Sequence, residues 1–129
     1  MDKADRALAS ARALLGLGDV DGACNRAYYA MFDAARAALL ASGASVTPDI
    51  GRTHAGLIRL FGAHLVKNGP IPRDIGRLLG RAEEIRLVAD YTGDSVELRD
   101  AQDIVSQAET FVAAIRVHFG PVGTANEDS

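Results

Sequence analysis

The amino-acid sequence predicts an all-α protein, an antiparallel up-and-down bundle of four to five helices. Apolar residues recur at spacings of three and four along five segments, and no segment alternates apolar and polar residues with a period of two. Trp is absent and alanine, leucine and arginine are abundant, which favours helix over strand. The short connections between these long amphipathic segments favour helices that run antiparallel to their neighbours.

The first two helices are predicted over residues 2–15 and 19–43. Gly16 and Gly18 end the first helix, and Asp19 is a suitable N-cap for the second. The second helix carries a continuous stripe of small and apolar residues from Ala23 to Leu39, which is typical of a helix in the core.

The other three helices are bounded by Pro, Gly and capping residues. Thr47, Pro48 and Asp49 predict the start of a third helix that ends before residues 69–70. The fourth helix is predicted from Pro72 to residue 92. An Asp94–Glu97 capping box opens the fifth, which ends at residues 120–121. We expect residues 1–120 to form the bundle and residues 121–129 to form a flexible C-terminal tail.

Composition excludes several classes of protein. The 129 residues suit one domain with a modest core, and the net charge of −3 gives no overall preference for nucleic acid. A single cysteine, Cys24, cannot form an internal disulfide. No apolar run is long enough to span a membrane, so we expect a cytoplasmic protein. The three dispersed histidines match no metal-site spacing, so neither a metal nor a cofactor is expected.

The second helix carries an unusual set of polar residues on an otherwise apolar sequence. They are Asn25, Arg26, Tyr28, Tyr29 and Asp33. A buried hydroxyl or amide without a partner costs about 1–3 kcal/mol, so these residues predict a polar network or a binding surface.

A ladder of arginines, Arg73, Arg77 and Arg81, marks the fourth helix at spacings of four residues. Like charges at this spacing cost about 0.2–0.5 kcal/mol per pair. The ladder is interpreted either as a solvated face or as an electrostatic footprint for RNA or for an acidic protein.

Two segments place a proton-handling side chain five residues after an arginine. One pairs Arg86 with Asp90 and Tyr91 near a predicted helix end, and the other pairs Arg59 with His64 inside a predicted helix. Residues five apart on a regular helix are about 140° apart in projection, so the segment at the helix end converges more easily. Arg86 also borders the apolar stripe and therefore needs a carboxylate or hydroxyl partner.

Candidate partners for Arg86 come from the same helix and from the second helix. They are Asp90, Tyr28, Asn25 and Asp33. We expect His54 to be a helix-face histidine with a hydrogen-bonded partner.

The sequence resembles the HEPN superfamily, and in particular its small, stand-alone bacterial members. The resemblance rests on a Gly-Asp lead-in at residues 18–19, the signature Asn-Arg-x-Tyr-Tyr-Ala-x-Phe at residues 25–32, and Arg-Thr-His at residues 52–54. It also rests on residues 67–71 and on the Arg-x3-Asp-Tyr pattern at residues 86–91. These features follow the expected order between Leu8 and Phe119.

The resemblance implies a helical bundle that commonly forms a homodimer. Active relatives are metal-independent ribonucleases that use an arginine followed four to six residues later by histidine, contributed by both subunits. Many are toxins paired with a small nucleotidyltransferase antitoxin. Here Tyr91 stands where those relatives carry histidine, and a tyrosine with a pKa near 10 is a poor general base at neutral pH.

The sequence therefore favours a HEPN-like component of a toxin–antitoxin or RNA-related system with a degenerate catalytic motif. Arg86, Asp90 and Tyr91 are its candidate catalytic residues. The first alternative is an active metal-independent ribonuclease toxin, and the second is a structural dimerisation module.

Overall fold

Helices make up every regular element that the computed structural model describes, over residues 2–43, 53–93 and 96–119. In chain order they are α1 (Asp2–Gly16), α2 (Val20–Ala41), α3 (His54–Phe61), a π-helical segment (Gly62–Lys67), α4 (Arg73–Thr92) and α5 (Leu98–Phe119). The predicted all-α class is confirmed. The antiparallel up-and-down order of these helices stays a prediction.

The central helix is α2, which packs against each of the other four helices. Its buried face is built mainly from alanines, and a small side chain lets a neighbouring helix approach closely. The fully buried members are Ala23, Ala27, Ala30, Ala34, Ala35 and Ala38. Larger side chains fill the space between the other helices, as where Phe61 of α3 meets Phe111 of α5 with ring centroids 5.5 Å apart.

Side-chain caps set the described starts of α2 and α3. Asp19 accepts a hydrogen bond from the backbone N–H of Gly22 at 3.0 Å, as its N-cap assignment predicted. Thr53 does the same for Gly56 at 3.1 Å, and its extended backbone keeps it outside the helix. The described α3 therefore begins at His54. The predicted opening at residues 47–49 lies outside the described residues.

The sequence predicted a regular third helix up to about residue 67, but the structure differs. The helix widens into a π-helical segment from Gly62 onward. Leu65 in this segment is buried, as Phe61 is at the end of α3. The Asn68 side-chain amide donates to the Ala63 carbonyl at 3.0 Å and satisfies part of the disturbed backbone ladder.

The last two helices follow the predicted periodicity. Gly93, with φ at +74°, takes the left-handed conformation that ends α4, as expected for a glycine at this position. The predicted core face of α5 is buried throughout: Ala101, Ile104, Val105, Ala108, Phe111, Val112 and Ile115. Asp94 and residues 120–129 lie outside the described residues. None of the described helices combines the length and apolarity needed to cross a membrane.

Gly69, in the connection that precedes α4, and Gly80, within α4, should respond oppositely to alanine. A Cβ on Gly69 would lie 2.6 Å from the His64 carbonyl oxygen and from the Leu65 Cα, so backbone must move. We expect Gly69→Ala to lower the free energy of unfolding by about 1–3 kcal/mol. Gly80, in α4, has nothing within 4 Å of such a Cβ, so Gly80→Ala should raise it by about 0.5–1 kcal/mol. Urea denaturation of both variants is the measurement, and equal shifts would contradict this account.

Candidate functional site

A buried carboxylate stands at the centre of the site. Glu83, in the middle of α4, is 9% exposed, although an unpaired carboxylate at such a position costs several kcal/mol. The Tyr28 hydroxyl of α2 donates to Glu83 Oε2 at 2.5 Å. This charge-assisted bond satisfies one oxygen of the carboxylate and joins α2 to α4 across the core.

Arg86 satisfies the other oxygen. It lies three residues after Glu83 on α4 and donates from its terminal nitrogen to Glu83 Oε1 at 2.8 Å. Its guanidinium carbon also lies 5.0 Å from the centroid of the Tyr28 ring, within the range of a cation–π contact. The arginine is therefore held from two sides, with 19% of its side chain exposed.

His54 completes the cluster from the first position of α3. Its Nδ1 lies 3.1 Å from the same Arg86 nitrogen and 3.8 Å from Glu83 Oε2. A guanidinium only donates, so Nδ1 must accept, which places the single proton of the neutral imidazole on Nε2. We call Tyr28, His54, Glu83 and Arg86 the Arg86 centre.

Aromatic rings surround the histidine. The His54 ring centroid lies 4.7 Å from that of Phe32, 5.4 Å from that of Tyr28 and 5.7 Å from that of Tyr29. All three rings come from two turns of α2. They pack around the imidazole and restrict its orientation.

The candidate catalytic residues separate in the structure. Arg86 belongs to the centre, whereas Tyr91 is 92% exposed. The fourth helix continues through Thr92, so Arg86 and Tyr91 do not converge at a helix end as expected. The Asp90 side chain lies outside the described residues.

The polar residues of α2 do not form the single network that their spacing suggested. Tyr28 is buried in the Arg86 centre and Tyr29 is half-buried beside it. Asn25 and Arg26 are exposed, because their positions turn them away from the core, so a buried amide at Asn25 is wrong. Asp33 is half-buried in a separate groove against α1, where burial raises the pKa of its carboxyl despite the nearby cations.

The other cationic candidates lie on the surface. Arg73, Arg77 and Arg81 are all exposed along α4. Arg59 and His64, the rival pair, are exposed as well. The described residues contain no group of three or more His, Cys, Asp or Glu side chains placed to hold a metal ion.

Two members of the Arg86 centre were missed as site residues. From the sequence, no role was predicted for Glu83 and only a helix-face position was predicted for His54. The signal for Glu83 was its place on the apolar stripe, four residues after the buried Leu79 and three before Arg86. The sequence carried no signal that His54 would meet them, because that contact joins residues 32 apart.

The contribution of the Tyr28–Glu83 bond can be measured with a matched pair of variants. Tyr28→Phe leaves a buried carboxylate oxygen without its donor, so we expect the free energy of unfolding to fall by about 1–3 kcal/mol. Tyr29→Phe is the control, because no hydrogen bond of its hydroxyl is seen within the described ranges. Denaturant unfolding of both variants is the measurement, and equal losses would remove the special role of the Tyr28 hydroxyl.

The same bond predicts a dependence on alkaline pH. Burial, followed by the bond to Glu83, raises the pKa of Tyr28 well above its usual value. The folded state thus holds this proton more tightly than the unfolded state, whose tyrosine pKa is about 10. The stabilisation is complete below about pH 10 and is lost above it. Between about pH 9 and 11, the wild-type protein should therefore lose more stability than Tyr28→Phe. Parallel curves would contradict this.

Comparison with known proteins agrees with the sequence features that pointed to the HEPN superfamily. The family model of the HEPN domain matches residues 1–118. A UPF0332 protein of Gloeobacter violaceus is 40% identical over 114 residues, covering 87% of this chain and 86% of the relative. A UPF0332 protein of Thermotoga maritima is 34% identical over 115 residues, covering 88% of this chain and 83% of the relative.

A third relative carries a functional name. A protein of Methanocaldococcus jannaschii, named as a candidate toxin, is 38% identical over 91 residues, covering 70% of this chain and 64% of the relative. The family match extends over nearly the whole chain and includes every residue of the Arg86 centre. The chain therefore belongs to the HEPN domain family.

Proposed function

We propose that this HEPN protein is a toxin-like component that binds RNA and cleaves it weakly at the Arg86 centre. One observation carries the proposal: Arg86 is fixed by Glu83 and Tyr28 and directly contacts His54. The candidate toxin of Methanocaldococcus jannaschii supports the biological role. Its partner would be a small nucleotidyltransferase that acts as the antitoxin.

The chemistry follows from the side chains of the centre. A guanidinium stays protonated and binds phosphate oxygens, so Arg86 can stabilise the charge that develops on a phosphodiester. In the proposed step the RNA 2′-hydroxyl attacks phosphorus and passes its proton to water, while the bond to the 5′ oxygen breaks. When Arg86 turns its terminal nitrogen to the phosphate, His54 Nδ1 takes a second proton from solvent. The imidazolium then gives its Nε2 proton to the leaving oxygen and returns to the neutral form. The products are a 2′,3′-cyclic phosphate and a 5′ hydroxyl.

The histidine of this scheme differs from the one that the family pattern places after the arginine. His54 comes from α3 and meets Arg86 through space, with Nδ1 held by the guanidinium and Nε2 carrying the proton. A protonated imidazole is a stronger acid than a phenol, so it is better suited to proton transfer to a leaving group. Tyr91 is then free to serve another purpose.

We also propose that the protein forms a homodimer through the C-terminal half of α4. Leu87, Val88 and Tyr91 are 51%, 61% and 92% exposed and lie on neighbouring positions of one helix face. They adjoin Arg86, so an isologous contact across this face would bring two Arg86 centres close together.

Cleavage should depend on the Arg86 centre. We expect His54→Gln to lower the rate on single-stranded RNA by about 100-fold or more, because the proton donor is lost. Arg86→Lys keeps the charge but loses the planar fork, so its rate should fall at least about 10-fold. Excess chelator should leave the wild-type rate unchanged. Single-turnover cleavage of labelled RNA is the measurement, with circular dichroism to confirm folding.

The controls are His64→Ala and Tyr91→Phe, both at exposed positions outside the centre. Neither should change the rate more than about two-fold if the Arg86 centre alone does the chemistry. Full loss with His64→Ala, combined with normal rates for His54→Gln and Arg86→Lys, would transfer the activity to the Arg59–His64 pair.

The dimer should depend on the same face of α4. We expect light scattering to report a dimer at tens of micromolar, and Leu87→Asp/Val88→Asp to convert it to a monomer, because charge in an apolar contact is costly. Leu98→Asp/Val117→Asp is the matched control, since Leu98 and Val117 are 52% and 79% exposed on α5. A wild-type monomer would contradict the proposed dimer, and loss of the dimer in the control would contradict its location.

A further inference from the structure

We propose that the groove between α1 and α2 is a second RNA-binding site, which holds the phosphate backbone of a single strand beside the Arg86 centre. The inference takes RNA as the class of ligand from the proposed function. Its location rests on the groove itself.

The groove has a volume of about 600 Å³ and a strongly positive lining. Four cationic side chains line it, two from each helix: Lys3 and Arg6 from α1, and Arg26 and Arg36 from α2. Asp33 is the carboxylate among the lining residues. This local excess of positive charge contrasts with the net charge of −3 of the whole chain.

These four cations form no salt bridge within 4 Å among the described residues, unlike other surface arginines of the same bundle, although Lys3, Arg26 and Arg36 lie near the Asp33 carboxylate. Arg12 pairs with Glu109 at 2.5 Å, and Arg116 pairs with Asp5. Four cations around one carboxylate leave an excess of like charge in the groove, which raises the free energy of the protein alone. An anion in the groove would remove that repulsion, so the arrangement favours a polyanionic ligand.

The spacing of the charges indicates an elongated ligand. Arg26, Asp33 and Arg36 lie at intervals of seven and three residues on α2, so the two arginines are about 15 Å apart along the axis. Lys3 and Arg6 run along the facing side of α1. A strip of this length contacts more than one phosphate, whereas a single small anion would occupy only one end of it.

Aromatic side chains connect the groove to the Arg86 centre. Tyr29 and Phe32 line the groove on one side, and both rings contact His54 on the other. Tyr29 is half-buried, so part of its ring is available for a base to stack on. A positively charged groove with an aromatic ring suits an unpaired strand, whose bases are free to stack. A strand held in the groove would be separated from His54 only by the side chains of Tyr29 and Phe32.

Binding can be measured separately from cleavage with 2′-O-methylated RNA, which lacks the attacking hydroxyl. The probe is a fluorescein-labelled single strand of about 12 nucleotides, followed by anisotropy over a range of salt concentrations. We expect Arg6→Gln/Arg26→Gln to weaken binding about 10-fold or more. It should also reduce the slope of log affinity against log salt by about 1.4, for two lost phosphate contacts. Tyr29→Leu should weaken binding at least about five-fold without changing that slope.

The matched control is Lys67→Gln/Arg99→Gln, which also removes two positive charges but at exposed positions away from the groove. Its affinity should stay within about two-fold of the wild-type value. A third variant, Arg73→Gln/Arg77→Gln, tests the arginine ladder of α4. The inference is overturned if this variant weakens binding and the groove variant does not. It is also overturned if all three double variants lose affinity equally, or if the wild-type protein does not bind the probe.

The experiment separates this inference from the proposed function. Groove-dependent binding of the methylated probe, together with no cleavage of unmodified RNA, would support the inference and contradict the ribonuclease. Cleavage that depends on His54 and Arg86, with a probe affinity unaffected by the groove variant, would support the ribonuclease and contradict the groove as an RNA-binding site. Competition by an acidic polypeptide that binds more tightly than the RNA would assign the groove to a protein partner and overturn the inference.

Discussion

The structure depends on how one carboxylate is accommodated inside an apolar bundle. Glu83 is 9% exposed and still has a donor on each oxygen, the Tyr28 hydroxyl on one and the Arg86 guanidinium on the other. Removing either donor would leave a buried charge only partly compensated, which costs far more than the loss of a surface ion pair. The bond to Tyr28 crosses from α4 to α2, so it also restricts the rotation of α4 about its own axis.

The same interaction prepares the site. An arginine side chain has many rotamers, and ordering it costs conformational entropy whenever it binds a ligand. In this protein the contacts with Glu83 and the Tyr28 ring order Arg86 in the folded state. Little further conformational entropy is therefore lost when Arg86 binds a ligand. The guanidinium in turn selects the tautomer of His54, and three aromatic rings of α2 restrict its orientation. Stability and chemical preparation therefore come from one set of contacts.

The Arg86 centre lies between two different surfaces, the exposed apolar face of α4 and the basic groove between α1 and α2. On one side α4 continues past Arg86 into the exposed apolar face of Leu87, Val88 and Tyr91. On the other side Tyr29 and Phe32 separate His54 from the basic groove of α1 and α2. A second protein chain and a nucleic acid strand could therefore approach the centre from different directions without competing for the same residues.

The local sequence determined the helices, because their signals are local. Periodic apolar residues, the Asp19 cap and the glycine at position 93 predicted the four long helices, and the HEPN signature led to the right family. Arg86 was also found from the sequence, since a cation beside an apolar stripe demands a partner. The π-helical segment after Phe61 was missed, because a single sequence gives no clear sign of a change in helical turn.

Only the tertiary structure decided which partners Arg86 has. Tyr28 and Glu83 are 55 residues apart, and His54 and Arg86 are 32 apart, so no spacing rule within one helix relates them. Tyr91, favoured because it is near Arg86 in sequence, points into solvent, since α4 continues through Thr92 and carries it around the helix. Periodicity shows which residues turn inward, whereas the packing of α2, α3 and α4 determines which of them meet.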